Sequence, residues 1–336
     1  MSIVVIKPGM LSTIQDEGRW QYQRLGVGVT GAMDPSALRL ANILVGNSRI
    51  LPCLEITLTG PTLRFDSNAC IAITGAFLSP HIDNEPIQNN RSYILTPGQT
   101  LSFKSSSDNT GARAYLALFG GLKGNKVLNS FSTDLKSKLG GIQGRALQKD
   151  DILELNGRFR SRHILEIKQF IASRSLYLTS GLGIQPRQTL RVIPGTHFAK
   201  FTDDSIHQFL DTEYKISAQS DRMGYRLQGC SLNLTEPLQI YSEPTSFGTI
   251  QVPPDGNPIV LMADRQSTGG YPKLANVITA DLGYLAQSLP GQSVRFSLTT
   301  IDEAQKIWAE RNARFKQLQV QLRDTVDFLT DKFTYF

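Results

Sequence analysis

The chain has 336 residues, of which 40% are apolar and 19% charged, with 28 glycines and 16 prolines; this exceeds what one core usually organises and is unlike a disordered chain. Its net charge of +6 comes from 35 basic and 29 acidic residues, and no run approaches the about 18 to 20 consecutive apolar residues that span a bilayer. A globular protein of more than one domain, without membrane contact, is expected.

In chain order, residues 3–6 (Ile-Val-Val-Ile) read as a first strand, because no basic region or long apolar core makes them an export signal, so a cytoplasmic location is expected. Residues 26–31, Gly26-Val-Gly28-Val-Thr-Gly31, match the string GxGxxG. The match fails on context, since no buried parallel strand precedes it and no βαβ alternation follows. Asp34-Pro35 then supplies a cap and a first-turn proline for a helix over residues 36–44. Short β-branched runs bounded by turn formers follow at residues 54–58, 70–74, 114–119, 190–193, 258–263 and 294–298, as in a barrel or sandwich. Thr300-Ile-Asp-Glu303 opens a second helix, with Ile301, Ala304, Trp308, Phe315, Leu318 and Leu322 on one face. The aromatics Phe328, Phe333, Tyr335 and Phe336 mark the tail after it as docked.

The chain also echoes itself. Residues 3–9 resemble 190–195, Ala32-Met33-Asp34 resembles Arg222-Met223-Gly224, and Pro97-Gly98-Gln99 resembles Pro290-Gly291-Gln292. The offset drifts slowly in one direction, which indicates a diverged duplication of one mainly β fold. The expected layout is a first barrel half at residues 1–160, a connecting segment at 161–189, a second barrel half at 190–300, and a C-terminal helix and tail at 301–336.

Chemistry-bearing patterns are few. Cys53, Cys70 and Cys230 form no CxxC pair, and His81, His163, His197 and His207 show no metal-ligand spacing, so neither a disulfide framework nor a metal site is expected. Between Lys123 and Arg174 there are eleven Lys/Arg against five Asp/Glu. That excess carries no recognition motif, which favours a solvated surface over nucleic-acid binding. No phosphate loop and no GxSxG elbow occurs. The densest polar cluster comprises Gln219-Ser-Asp221-Arg222-Met-Gly-Tyr-Arg226 and Ala263-Asp264-Arg265-Gln266-Ser-Thr-Gly-Gly-Tyr271-Pro-Lys273, the latter leaving an apolar strand and hinged on two glycines. Arg265 and Lys273 suit an anion, Asp221 and Asp264 suit proton handling or the orientation of those cations, and Tyr271 can donate to an oxyanion. The competing reading is that Asp264-Arg265 and Asp221-Arg222 are ion pairs that stitch loops together.

Five segments carry a resemblance: Thr13-Ile-Gln-Asp16-Glu-Gly18-Arg19, Thr30-Gly-Ala-Met33-Asp34, Leu54-Glu-Ile-Thr-Leu-Thr-Gly60-Pro61, Gln219 to Leu227 and Asp255 to Lys273. Together they resemble the allophanate hydrolase subunit 2 family, also called the KipA or PxpC family, which is similar to part of the carboxyltransferase region of urea carboxylase. The resemblance implies two tandem cyclophilin-like β-barrel domains. It implies a KipI/PxpB-like partner subunit and a PxpA-like third subunit, forming an ATP-dependent 5-oxoprolinase that opens the lactam of 5-oxoproline to L-glutamate. ATP with Mg²⁺ would be used by that complex, at a site not located in this chain. The alternatives it implies are a biotin-dependent carboxyltransferase subunit and a regulator that binds a KipI-like kinase inhibitor. On this reading Asp221, Asp264, Arg265 and Lys273 are candidate catalytic residues, and Asp34, Arg222, Gln266 and Tyr271 candidate substrate contacts. Where the family usually carries Gly-Val-Pro-x-Ser-Gly, this chain has Gly26-Val-Gly-Val-Thr-Gly31, which removes a backbone restraint.

Overall fold

Each apolar run named above forms a strand in the computed structural model, which describes residues 2–47, 50–173 and 188–335. The mainly β architecture is therefore borne out. The chain clusters into two compact units: Met1–Gly18, Asp34–Gly183 and Ala313–Phe336 in the first, Arg19–Met33 and Ile184–Asn312 in the second. The sequence reading divides the chain at 160, 190 and 300, whereas these units interleave. Met33 is fully buried in the core of the second unit, and the last strand, Phe333–Tyr335, pairs with Gly157–Phe159 of the first. Of the connecting segment expected at 161–189, residues 174–187 lie outside the described residues.

The first unit contains β1 (Ser2–Lys7), β2 (Leu11–Gln15), α1 (Pro35–Val45), β3 (Cys53–Thr57), β4 (Thr62–Phe65), β5 (Ala69–Phe77), β6 (Pro80–Ile82), β7 (Glu85–Pro86), β8 (Ser92–Leu95), β9 (Thr100–Phe103), β10 (Thr110–Leu118), β11 (Ile152–Glu154), β12 (Gly157–Phe159) and α2 (Ile164–Ser173). One sheet runs β11-β1-β4-β9-β6-β7 and the other β2-β3-β10-β5-β8. Inward residues such as Ile3, Val5, Ile56, Leu63, Phe65, Ile71 and Leu116 make the core. As the sequence predicts, Asp34 caps α1: its Oδ1 accepts from Ala37 N at 3.1 Å, with Pro35 in the first turn. The turn-rich stretch after β10 is organised by one carboxylate. Asp16 Oδ1 accepts from Ser130 Oγ (2.6 Å) and Ser132 Oγ (2.5 Å), and Oδ2 from Phe131 N (2.7 Å), so this acidic residue of the first family-like segment anchors a loop more than a hundred positions downstream.

The second unit contains β13 (Thr189–Pro194), α3 (Asp203–Asp211), β14 (Tyr214–Ile216), β15 (Gly224–Gln228), β16 (Glu243–Pro244), β17 (Thr249–Gln251), β18 (Ile259–Leu261), β19 (Thr268–Gly269), β20 (Lys273–Val277), α4 (Leu282–Gln287) and β21 (Ser293–Leu298). Seven strands close a barrel in the order β13-β20-β17-β18-β15-β14-β21, and β16 with β19 forms a separate two-stranded ribbon. Closure comes from the parallel pairing of β13 with β21, Leu190 opposite Phe296, which leaves the barrel without an open edge. Its interior is packed with Leu190, Val192, Phe209, Tyr214, Ile250, Val260, Met262 and Phe296.

Two of the three internal echoes are structural. In both Pro-Gly-Gln turns the glycine is left-handed (φ 90° at Gly98, 89° at Gly291). In both, the glutamine Oε1 accepts a backbone N–H at 2.9 Å, from Thr96 and from Leu289. Each turn also exchanges two backbone hydrogen bonds with a strand residue, Phe65 in one unit and Ile216 in the other. β1 and β13 share an alternating burial pattern along their length. The middle echo differs: residues after Met33 form α1, capped by Asp34 and Pro35, whereas those after Met223 form β15, with Tyr225 and Leu227 turned inward.

The second expected helix is α5 (Ile301–Gln321), followed by α6 (Arg323–Asp331) and β22 (Phe333–Tyr335). Half of its capping box forms, Glu303 N donating to Thr300 Oγ1 at 3.2 Å. Its apolar face is not continuously covered: Phe315, Leu318 and Leu322 are buried, but Ile301 and Trp308 are 60% and 37% exposed. The tail is docked: Phe328 stacks on Phe170 at 3.8 Å, and Phe333 meets Phe119 and Phe159 edge-on at 4.8 and 5.0 Å. Phe336 lies outside the described residues. Among the described residues no helix is long and apolar enough to cross a membrane.

Candidate functional site

The polar cluster of the second unit is built on the end of β18. Beyond Leu261 the chain turns through Asp264 and Arg265, then returns along β19, whose Thr268 and Gly269 pair with Pro244 and Glu243 of β16. The ribbon is tightened by Thr245, whose N–H donates to Ser267 O at 3.0 Å and whose Oγ1 donates to Gln266 O at 2.5 Å. Gly269 packs closely there: a Cβ would lie 2.7 Å from Gln251 Nε2, so the glutamine side chain would have to shift. A rigid barrel thus presents a short charged hairpin.

Arg222 and Asp264 form a bidentate ion pair, Nε to Oδ2 and Nη2 to Oδ1, both at 2.9 Å, and Nη2 also donates to Gly31 O at 2.7 Å. The two side chains are 5% and 11% exposed. A buried, fork-to-fork pair of this kind is costly to break and holds its loops in register. It ties the Gly26–Gly31 loop to the barrel. That loop is also held by Arg19, fully buried, which donates from Nη1 to Thr30 Oγ1 at 2.6 Å and from its backbone N–H to Val29 O at 2.8 Å. The glycines serve the turn, with φ 79° at Gly26 and 92° at Gly31.

Arg265 is different. It is 6% exposed, and among the described residues its Nη1 reaches only Met262 O at 3.3 Å and Ala263 O at 3.5 Å, while its Nε has no hydrogen-bond partner. Its guanidinium lies 5.7 Å from the Phe247 ring centroid. Burial lowers its pKa to about 10, against the opposing pull of Asp264; it therefore remains charged at neutral pH, as a cation with donor capacity to spare.

Lys273 opens β20. Its Nζ donates to Glu243 Oε2 at 2.7 Å, and its backbone N–H donates to His197 Nδ1 at 3.1 Å. His197 Nε2 in turn lies 3.9 Å from Glu243 Oε1. The hydrogen bond from Lys273 holds the Glu243 carboxyl below the usual carboxylate range. The sign follows from this lowered value: the pair's contribution is complete above the ordinary glutamate pKa and is lost only as pH falls through the lower folded value. In a carbon-detected NMR titration Glu243 should titrate below the other exposed glutamates, and Lys273→Met should return it to the ordinary range. An unmoved Glu243 midpoint in that variant would show that the pair does not form in solution.

The remaining expected residues take other places. Asp221 is exposed, and its Oδ1 accepts from Met223 N (2.8 Å) and Gly224 N (3.1 Å), forming the turn before β15. Gln266 and Tyr271 are exposed on the hairpin. Asp34 belongs to the first unit, where it is 3% exposed and caps α1; its N–H donates to Tyr115 Oη at 2.7 Å, and that hydroxyl donates to Glu55 Oε2 at 2.7 Å. Sequence reasoning passed over Glu243, His197 and Phe247. The only signal for His197 was its place just after the Pro194-Gly195 echo, and for Glu243 its place before a proline. Among the described residues no group of three His, Cys, Asp or Glu side chains is placed to hold a metal ion.

Comparison with known proteins adds the family context. The carboxyltransferase domain family, subdomain A and B, matches residues 25–298. The chain is 40% identical over 311 residues to the C subunit of 5-oxoprolinase from Haemophilus influenzae, covering 92% of this chain and 94% of that protein. It is 36% identical over 321 residues to the C subunit of 5-oxoprolinase from Escherichia coli K12, covering 95% and 98%. The crystal structure of Kluyveromyces lactis urea carboxylase superposes with a TM-score of 0.84 at 28% identity, over 94% of this chain and 29% of that one.

Proposed function

Because this chain belongs to the carboxyltransferase domain family, subdomain A and B, we propose that it is the C subunit of an ATP-dependent 5-oxoprolinase, opening the lactam of 5-oxoproline to L-glutamate. The observation that carries this reading is the nearly end-to-end match to two proteins of that name. In the proposed complex it works with a KipI/PxpB-like subunit and a PxpA-like third subunit, in the cytoplasm. ATP with Mg²⁺ supplies the driving force there, and no residue of this chain is assigned to it.

The chemical problem is a resonance-stabilised amide in a five-membered ring that also bears one carboxylate. Arg265 is the residue we assign to that carboxylate, since its Nε lacks a partner among the described residues and a charge-assisted hydrogen bond would offset the cost of its burial. Lys273 uses one of its three donors on Glu243, and the others suit hydrogen bonding to the neutral lactam carbonyl oxygen, which orients the ring. Tyr271 and Gln266, exposed on the same hairpin, are assigned to substrate contact. Asp264 acts by orienting Arg222, and Asp221 by fixing the turn that carries Arg222.

The test is reconstitution. Co-expression of the three subunits should give glutamate from 5-oxoproline with ATP and none without it. A complete complex that releases no ATP-dependent glutamate would overturn the reading. The second reading, a biotin-dependent carboxyltransferase subunit in which Arg265 holds the carboxylate carried by biotin, is favoured by the superposition on urea carboxylase. Transfer of carboxylate from carboxybiotin to urea, measured on the same preparation, distinguishes the two.

A further inference from the structure

The charges around the second unit's hairpin cancel in pairs and leave one over. Arg222 is matched by Asp264 and Lys273 by Glu243. Arg265 makes no ion pair among the described residues, and the carboxylate next to it in sequence is held bidentately by Arg222. Glu243 is placed unlike Asp264: its side chain is 38% exposed, while that of Lys273 is 8% exposed. It therefore covers the ammonium from the solvent side. His197 stands beside it: its Nδ1 accepts from Lys273 N, and its Nε2 lies 3.9 Å from Glu243 Oε1.

We propose that Glu243 is the specificity-determining residue of this site: by cancelling the charge of Lys273 it leaves Arg265 as the hairpin cation without an ion pair among the described residues, so the site accepts a ligand with one carboxylate and rejects doubly charged anions. The inference rests on the proposed function in taking the hairpin as the substrate site, and it narrows the substrate class to small monocarboxylates. A second negative charge on the ligand would find Lys273 already neutralised and would face the Glu243 carboxylate itself. Discrimination of this kind uses a built-in repulsive element as well as an attractive one.

The experiment is an NMR shift titration of the full chain at constant ionic strength, with acetate, sulfate and 5-oxoproline as probes. Glu243→Gln keeps the side-chain shape and removes the charge. It should raise the ratio of sulfate to acetate affinity by about tenfold, the scale of one unit charge at close range in a partly solvated site. Glu243→Asp should keep the wild-type ratio, and Arg265→Met should abolish binding of all three probes. An unchanged ratio in Glu243→Gln, an equal loss for every probe, or no binding to either protein overturns the proposal. If acetate and sulfate behave as expected but 5-oxoproline does not bind, the substrate reading fails and the charge rule stands. If 5-oxoproline binds while the ratio stays fixed, the reverse holds.

Discussion

Replacing Arg265 by methionine should lower ATP-dependent glutamate release by the reconstituted complex at least about a hundredfold, the scale of losing a key electrostatic contact, while the melting temperature stays at or above that of the wild type. The two halves of this expectation have one cause. The guanidinium is 6% exposed, carries an Nε without a partner among the described residues and has its pKa lowered to about 10 by burial. Against the ordinary arginine value of 12.5, that shift corresponds to about 3 kcal/mol of unfavourable free energy in the folded state. A methionine of similar length removes this penalty and still packs beside Phe247. Function and stability then move in opposite directions, as expected where a site retains strain for a purpose. Thermal unfolding and glutamate assays on the same preparations check both halves. A drop of several degrees, with activity following the folded fraction, would make Arg265 a structural residue.

The opposite behaviour is expected one residue earlier. Asp264→Asn should destabilise the fold by about 3 to 5 kcal/mol, because it leaves the Arg222 guanidinium buried without its counter-charge. Arg222 is 5% exposed and spends Nε and Nη2 on Asp264, with Nη2 also on Gly31 O. Removing both charges, as in Arg222→Met with Asp264→Leu, should cost less than the single change, since neither member of the pair is left behind as a buried ion. Urea unfolding of the two singles and the double gives the coupling directly. If Asp264→Asn loses less than about 1 kcal/mol, below the range for a broken buried pair, the pair is not the clamp described above. The two neighbouring arginines thus have separable roles: Arg222 holds the loops and Arg265 is left for a ligand.

Much of this arrangement is visible in the linear chain, for local reasons. β1, β5, β10, β13 and β21 come from β-branched runs between turn formers, and α1 from Asp34-Pro35, because hydrogen bonding and capping over a few residues decide them. The Pro-Gly-Gln echo is equally local, since a left-handed glycine and a glutamine side chain define the turn. The stretch from Asp264 to Lys273 stands out because many donors follow one apolar strand.

The partners are not visible, because pairing is not a local property. Lys273 meets Glu243 thirty positions upstream and His197 seventy-six positions upstream, and both contacts exist only because β13 pairs with β20 and β16 with β19. The same holds for Arg222, whose carboxylate is forty-two positions away. Ile301 and Trp308 show the converse: helical periodicity marks an apolar face, but burial requires a neighbour to cover it. By itself the sequence determined the strands, the caps and the concentration of charge after β18. Only the tertiary structure decided which charges cancel, because ionic compensation depends on distances of a few ångströms that barrel closure creates, and so only it singled out Arg265.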